Sequence, residues 1–185
     1  MTLNRITTII VLALTFLIFS CDFDVEANKR LKENSFFFST IMFFEDEQER
    51  LKDRTGFTKF VNFNGKKETM KIDSLNFMYE FNPFKNSDIN KAVWLDRYMC
   101  DTTYQQKLIS HIDCSCQDTK LKTQKLSIDY NNGEVIEIRL ENQMNKMLLT
   151  TMEYLTYTKD ISYEIKRIQL LETGGVDSTF VMVKF

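Results

Sequence analysis

The stretch LSIDYNNGEVIEIRL, residues 126–140, decides the fold. Apolar residues alternate with polar ones on both sides of its centre, at Leu126, Ile128 and Tyr130 and again at Ile136, Ile138 and Leu140. This period of two is typical of half-buried β-strands. Between the two runs stands Asn132-Gly133, a pair that tolerates the two positive φ angles of a tight hairpin turn. The stretch therefore predicts two antiparallel strands joined by a two-residue turn.

The same period continues along the C-terminal half of the chain. Residues 107–116, 161–171 and 180–185 read as further strands, and Thr173-Gly174-Gly175 separates the last two. A strand that starts at Met147 is apolar on both faces, which predicts a central position covered on both sides. Hairpin-like connections in a row predict an antiparallel β-meander.

Two helices and a further hairpin are predicted before the meander. Ser35 is expected to cap the first helix, whose apolar residues recur at helical spacing: Phe37, Ile41, Phe44 and Leu51. Asn64-Gly65 predicts a hairpin between strands 57–63 and 66–72. Asp73 or Ser74 is expected to start a second, short helix that Pro83 truncates or kinks. The predicted fold class is α+β, with N-terminal helices packed on an antiparallel β-meander sheet.

The N-terminus has the layout of a secretory signal. Arg5 is followed by a largely apolar stretch, residues 6–19, which is shorter than the roughly 20 residues of a membrane-spanning helix. The stretch ends at Ile18-Phe19-Ser20-Cys21, which resembles the lipobox of bacterial lipoproteins. This resemblance implies that residues 1–20 are a signal peptide and that Cys21 is acylated and anchors the chain in a membrane.

The expected organisation is a signal peptide at 1–20, a tether at 21–34 and a single α+β domain at 35–185. The tether begins with acidic residues that alternate with apolar ones from Asp22 to Glu26. Such a segment acts as a surface-export signal in some Gram-negative lipoproteins, or it is simply a solvated spacer. The expected location is the outer membrane, lipid-anchored, on its periplasmic or cell-surface face.

A second resemblance lies in the middle of the chain. The run is Phe77-x-x-Glu80-Phe81-x-x-Phe84-x-x-x-Asp88-Ile89-Asn90-Lys91-x-x-Trp94-x-x-x-Tyr98. It is similar to a group of uncharacterised Gram-negative envelope lipoproteins that share a hairpin, an Asp-Ile-Asn-Lys segment and a β-meander. The resemblance implies an architecture and a location, but no activity and no catalytic residues. Phe77, Phe81, Phe84 and Trp94 are expected to close the sheet as core residues, with ligand stacking as the alternative.

The residue inventory argues against an enzyme. His111 is the only histidine, so every histidine-dependent base would have to be this residue. The chain contains no Gly-x-Ser-x-Gly motif, no Gly-rich phosphate loop and no His-Glu-x-x-His pair. Its 24 basic residues are balanced by 26 acidic ones, which leaves no basic stripe for nucleic acid. We therefore expect no enzymatic activity, no cofactor and no nucleic-acid partner.

Three cysteines remain once Cys21 is acylated. Cys100, Cys114 and Cys116 allow one disulfide from Cys100 to Cys114 or Cys116, or three buried thiols. Together with His111 they also have the composition of a Cys₃His zinc site. Alternation along strand 107–116 argues against zinc, because Cys114 and Cys116 share one face and His111 points to the other. No metal site is predicted.

Two classes of function remain. The first is a non-enzymatic interaction module that docks onto an envelope protein or a glycan. The second is a lipocalin-like carrier that holds a small apolar ligand or a lipid inside a curved sheet. Two helices rich in phenylalanine are available to fill the inner face of the sheet, which favours the first class.

Overall fold

The structure is a computed structural model that describes residues 36–185. The predicted signal peptide, the lipidation site Cys21, the tether and the predicted cap Ser35 lie outside the described residues. The elements between residues 37 and 185 form one compact unit.

Among the described residues, the fold consists of nine strands, three short helices and one turn of 3₁₀-helix. In chain order they are α1 (Thr40–Leu51), β1 (Phe57–Phe63), β2 (Lys66–Ile72), α2 (Phe77–Glu80), α3 (Asn82–Lys85), the 3₁₀ turn (Ala92–Trp94), β3 (Tyr98–Gln105), β4 (Leu108–Cys116), β5 (Thr123–Asn131), β6 (Glu134–Lys146), β7 (Leu149–Thr158), β8 (Ser162–Leu171) and β9 (Val176–Lys184). Strands hold 55% of the described residues and helices 15%, so the fold is mostly an antiparallel sheet with few helices. No helix within residues 36–185 is long and apolar enough to cross a membrane.

All nine strands belong to one antiparallel sheet, in the order β2-β1-β9-β8-β7-β6-β5-β4-β3. The predicted meander is confirmed and runs from β3 to β9, with each strand beside its neighbour in sequence. The β1–β2 hairpin extends the sheet at its far end, where β1 pairs with β9 from Thr58 opposite Lys184 to Phe63 opposite Thr179. Strand β3 was not predicted; it begins at Tyr98, the last residue of the run that carries the second resemblance.

Tight turns set the register of two hairpins, as predicted. Asn64 and Gly65 have φ angles of 49° and 86°, and Asn132 and Gly133 have 51° and 82°. Two successive positive φ angles match the right-handed twist of the flanking strands. A bulge between Asp129 and Tyr130 shifts the register beside the second turn. Val135, not the predicted Ile136, therefore packs against the core, while Ile136 is exposed.

The first helix begins later than predicted. Ser39, and not Ser35, is the N-cap of α1, and its side chain accepts a hydrogen bond from the amide of Met42. Phe37 and Phe38 therefore precede the helix. A second polar group reaches the same helix end from a distant segment: the carboxylate of Asp88 accepts hydrogen bonds from Ser39 Oγ at 2.9 Å and the amide of Ile41 at 3.0 Å. A carboxylate at a helix N-terminus satisfies free amide groups and complements the helix dipole.

The second helical segment begins later than predicted and is interrupted at Phe81, two residues before Pro83. Asn76 caps α2, and its side chain accepts from the amide of Met78 at 3.1 Å. Pro83 stands in the first turn of α3, where its missing N–H costs no helical hydrogen bond. The chain therefore forms two single-turn helices, one on each side of Phe81.

Aromatic side chains form the centre of the core. Phe44 of α1 contacts Phe84 and Tyr157, with ring centroids 4.6 and 5.3 Å apart. Phe81 is fully buried and contacts Tyr163 at 5.7 Å. These rings cover one face of the sheet, which we call the inner face, where Leu140 and Leu155 are also buried. Strand β7 is the fifth of nine, but Tyr154 on its outer face is partly exposed, so the prediction of cover on both faces is wrong.

Candidate functional site

A line of polar side chains crosses the inner face beside the aromatic core. Strand register places its members directly opposite one another on five neighbouring strands, β5 to β9: Thr123, Asn142, Glu153, Arg167 and Thr179. We call this set the polar row. The inner positions two residues along β6 and β7 are apolar, at Leu140 and Leu155, so the row marks the end of the apolar core. Phe63 continues the line on β1 and is half exposed.

A buried carboxylate lies at the centre of the polar row. Glu153 is 3% exposed. Its Oε1 accepts hydrogen bonds from Arg167 Nη2 at 2.7 Å and Nε at 3.2 Å, and its Oε2 accepts from Asn142 Nδ2 at 3.0 Å. A buried charge is tolerated only when it is paired and hydrogen-bonded. The Glu153–Arg167 pair therefore orients both side chains.

Asn142 links the polar row to the segment that follows α3. Its Nδ2 also donates to Ser87 Oγ at 2.8 Å, and Ser87 O accepts from Thr123 Oγ1 at 3.0 Å. Asn142 is 3% exposed, and its Oδ1 is the one buried side-chain oxygen or nitrogen among the described residues without a hydrogen-bond partner. Most buried acceptors are satisfied in native proteins, so this oxygen marks a polar position with an unused acceptor.

Lys122 adds a second cation beside the buried carboxylate. Its Nζ lies 3.9 Å from Glu153 Oε2 and donates to the carbonyl of Asn86 at 3.3 Å. Burial lowers the pKa of Lys122, and repulsion from Arg167 acts in the same direction, while attraction to Glu153 opposes the shift. Two basic side chains, Lys122 and Arg167, thus lie beside one buried carboxylate.

The row opens toward solvent at Arg167, whose side chain is 42% exposed. The arginine lines a surface cavity of about 210 Å³ together with Thr151 and Gln169, and the other lining residues are Met144, Lys146 and Leu149. Thr151 and Gln169 face each other in register on β7 and β8. The cavity therefore presents a hydroxyl, an amide and a guanidinium group on rigid strands.

The cysteines lie on the inner face at the edge of the sheet formed by β3 and β4. Cys100 of β3 and Cys114 of β4 are register partners with Cα atoms 4.0 Å apart, and a disulfide joins them. This is one of the two pairings that the sequence left open, and Cys116 is free. The bridge fastens the edge strand β3 to its neighbour β4.

His111 lies apart from the cysteines. Its Nδ1 is 2.7 Å from Asp129 Oδ1, and Arg139 Nη2 donates to the other oxygen of that carboxylate at 2.7 Å. The pair stands on the outer face, in register on β4 and β5. No group of three or more His, Cys, Asp or Glu side chains within residues 36–185 is placed to hold a metal ion.

The aromatic residues of the run that carries the second resemblance pack inside the domain. Phe77, Phe81 and Phe84 belong to the buried core, while Trp94 is partly buried against Tyr98. Asp88 caps α1, as described above. Cys21 lies outside the described residues, so its acylation stays a prediction.

Sequence reasoning missed the polar row. A signal for it is present, because Asn142 and Glu153 occupy inner-face positions two residues from Leu140 and Leu155, where alternation predicts apolar residues. Only strand pairing shows that these departures meet.

Comparison with known proteins gives no further guide to the site. The chain has no significant match among protein-family models, curated proteins or solved structures.

Proposed function

We propose that this protein is a lipid-anchored interaction module of the bacterial cell envelope, without enzymatic activity, that binds a hydroxyl-rich glycan at the polar row and its adjoining cavity. The observation that carries the proposal is the position of Arg167, which is held by the buried Glu153 and still lines an open cavity. In this proposal the helices before the meander act as the cover of the apolar part of the inner face, as the sequence predicted.

The chemistry of the cavity favours a glycan over a protein partner. Thr151, Gln169 and Arg167 provide donors and acceptors of the kind that sugar hydroxyls need. Protein interfaces usually have an aromatic or aliphatic centre, whereas four of the six residues that line this cavity are polar or charged. Phe63, half exposed on the same line, supplies an aromatic face at the open end.

The packing of the inner face argues against the alternative, a carrier of a small apolar ligand. Phe44, Phe81 and Phe84 are each fully buried against the sheet at the place where such a ligand would lie. Well-packed cores leave few voids larger than a water molecule. The cavity beside Arg167 is a separate space, and four of its six lining residues are polar or charged.

The proposal is tested with the mature protein in its non-acylated Cys21→Ala form. Binding is first screened on an array of bacterial cell-wall and capsule oligosaccharides, and the best ligand is then titrated by calorimetry. Thr151→Val and Gln169→Ala should each weaken binding about tenfold, because each leaves a sugar hydroxyl without its partner. These variants spare the Glu153–Arg167 pair, so the fold is expected to survive.

Thr156→Val is the matched control, since this threonine is on the same strand but on the outer face, opposite Arg139. It should bind like the parent. The proposal fails if no oligosaccharide binds, or if binding does not depend on the inner-face residues. Organic extraction followed by mass spectrometry tests the alternative: one apolar molecule per Cys21→Ala chain would favour a carrier.

A further inference from the structure

The tips of two neighbouring hairpins expose apolar side chains that the fold does not use. The β6–β7 turn consists of Met147 and Leu148, which are 87% and 67% exposed. Turn positions ordinarily hold Gly, Asn, Asp, Ser or Pro, for conformational reasons. Neither residue belongs to the core cluster or to the apolar residues packed against it. Packing within the domain therefore does not explain why these two turn positions are apolar.

The β8–β9 hairpin extends this surface. The amide of Glu172 donates to the carbonyl of Leu148 at 3.3 Å, and Leu171 pairs with Leu149, so the two tips are joined. Leu170 and Val176 pair on the next strands and are also exposed. We call the five exposed residues the apolar tip: Met147, Leu148, Leu170, Leu171 and Val176.

The apolar tip lies at the end of the sheet where the domain begins. Phe37 packs on Tyr98, the first residue of β3, with ring centroids 5.9 Å apart. In an antiparallel meander the starts of β3, β7 and β9 lie at one end, together with the ends of β6 and β8. The chain thus enters the domain at the end that carries the apolar tip.

The length of chain before this point limits how far the tip can be from the predicted anchor. Residues 22–36 separate Cys21 from Phe37. Fifteen residues span at most about 50 Å when fully extended. A chain acylated at Cys21 therefore keeps Phe37, where the domain begins, within that distance of the bilayer surface.

We propose that the apolar tip inserts into the interfacial region of the lipid bilayer and orients the domain on the membrane. The proposal rests on the predicted anchor and not on glycan binding, although Lys146 belongs both to this surface and to the lining of the cavity beside Arg167. Lys146 precedes Met147 directly and is placed to meet anionic headgroups, and residues 145–149 contain no acid. Glu172 stands at the rim, where it remains in the hydrated headgroup layer.

The test uses the non-acylated Cys21→Ala protein and sedimentation with vesicles of phosphatidylethanolamine and phosphatidylglycerol. The parent should bind weakly, and the double variant Met147→Ser, Leu148→Ser should lower the partition constant by about tenfold or more, since burying one leucine-sized side chain already changes it by roughly that factor. Ile161→Ser is the matched control, because Ile161 is a 61% exposed turn residue at the opposite end of the sheet.

Equal binding of the parent and the double variant would overturn the proposal. So would the absence of parent binding to lipid vesicles together with saturable binding to a membrane protein through the same tip. Thr151→Val should leave vesicle binding unchanged, so a failure at the glycan site is distinguishable from a failure at the tip.

Discussion

Tyr157 and Tyr163 lie directly opposite each other on β7 and β8, and each donates its hydroxyl hydrogen to a glutamate from a different helix. Tyr157 bonds Glu47 of α1, a carboxylate that Arg50 also holds, with Nη2 to Oε2 at 2.6 Å. Tyr163 bonds Glu80 of α2, which also accepts from Lys59 Nζ at 2.8 Å. One cross-strand pair thus fastens two helices to the sheet through polar bonds inside an aromatic core.

Removing one of these hydroxyls should weaken the helix–sheet contact. We expect Tyr163→Phe to lower the free energy of unfolding by about 1–3 kcal/mol, because a hydrogen bond to a largely buried carboxylate is lost and the ring is kept. Urea denaturation of parent and variant measures the difference. Tyr104→Phe is the control, since Tyr104 is 64% exposed and should change stability by less than about 0.5 kcal/mol. Equal losses for the two variants would contradict the arrangement.

Alkaline pH should destabilise the protein through the same tyrosines. Burial, and then the hydrogen bond to glutamate, raises the pKa of Tyr157 and of Tyr163 well above the ordinary value, and burial raises the pKa of Tyr98. A raised pKa favours the neutral form in the folded state. The stabilisation is therefore complete below about pH 10, where unfolded tyrosine ionises, and is lost as pH rises further, by up to about 1.4 kcal/mol per pH unit for each group.

Urea midpoints measured at a series of alkaline pH values test this dependence, and tyrosinate absorbance reports the ionisation. The Tyr163→Phe variant should lose stability less steeply with pH than the parent. An equal slope for the two proteins would show that Tyr163 ionises normally in the folded state.

The disulfide predicts a definite thiol count. Denatured, unreduced Cys21→Ala protein should titrate with one free thiol, Cys116, because Cys100 and Cys114 are bridged. Cys100→Ala with Cys114→Ala should lower the free energy of unfolding by about 3 kcal/mol, the value expected for a loop of this length. Cys116→Ala should remove the one reactive thiol. Three reactive thiols in the parent would be incompatible with the bridge.

The two glycine turns should respond differently to a β-branched residue. Gly133 has a φ of 82°, whereas Gly175 has no positive φ, and a Cβ there would meet the flexible side chain of Leu171 at 3.1 Å. Gly133→Val should therefore destabilise the domain by about 1–2 kcal/mol more than Gly175→Val, because valine is strained in the left-handed region. Denaturation midpoints compare them. Similar midpoints would contradict a tight turn at Asn132-Gly133.

The anchor is tested directly in cells. Metabolic labelling with a fatty acid should tag the wild-type chain, and Cys21→Ala should lose the tag and leave the membrane fraction. The acyl chains provide most of the membrane affinity, since each buried CH₂ contributes about 0.8 kcal/mol. Cys116→Ala serves as the control and should be labelled like the wild type. Equal labelling of Cys21→Ala would remove the basis for a lipoprotein.

Local patterns in the sequence determined most of the sheet. Alternation at Leu126, Ile128, Ile138 and Leu140 assigned their faces, and Asn132-Gly133 placed the turn. These features depend on neighbours within a few residues, so the sequence contains them completely. The same kind of local reasoning failed at the helix starts. Ser35 and Ser39 are both good caps by residue type, and the bond from Ser39 to the distant Asp88 cannot be read from the local pattern.

Tertiary structure alone decided what the inner face can bind. Asn142, Glu153 and Arg167 are far apart in sequence and meet only because β6, β7 and β8 pair in one register. The attachment of β1 to β9, and the bonds from Tyr157 and Tyr163 to the helices, are equally non-local. Alternation states which way a side chain points, but not which distant side chain lies beside it. That choice depends on packing the whole sheet at once, since one slip in register would turn every side chain of a strand to the other face.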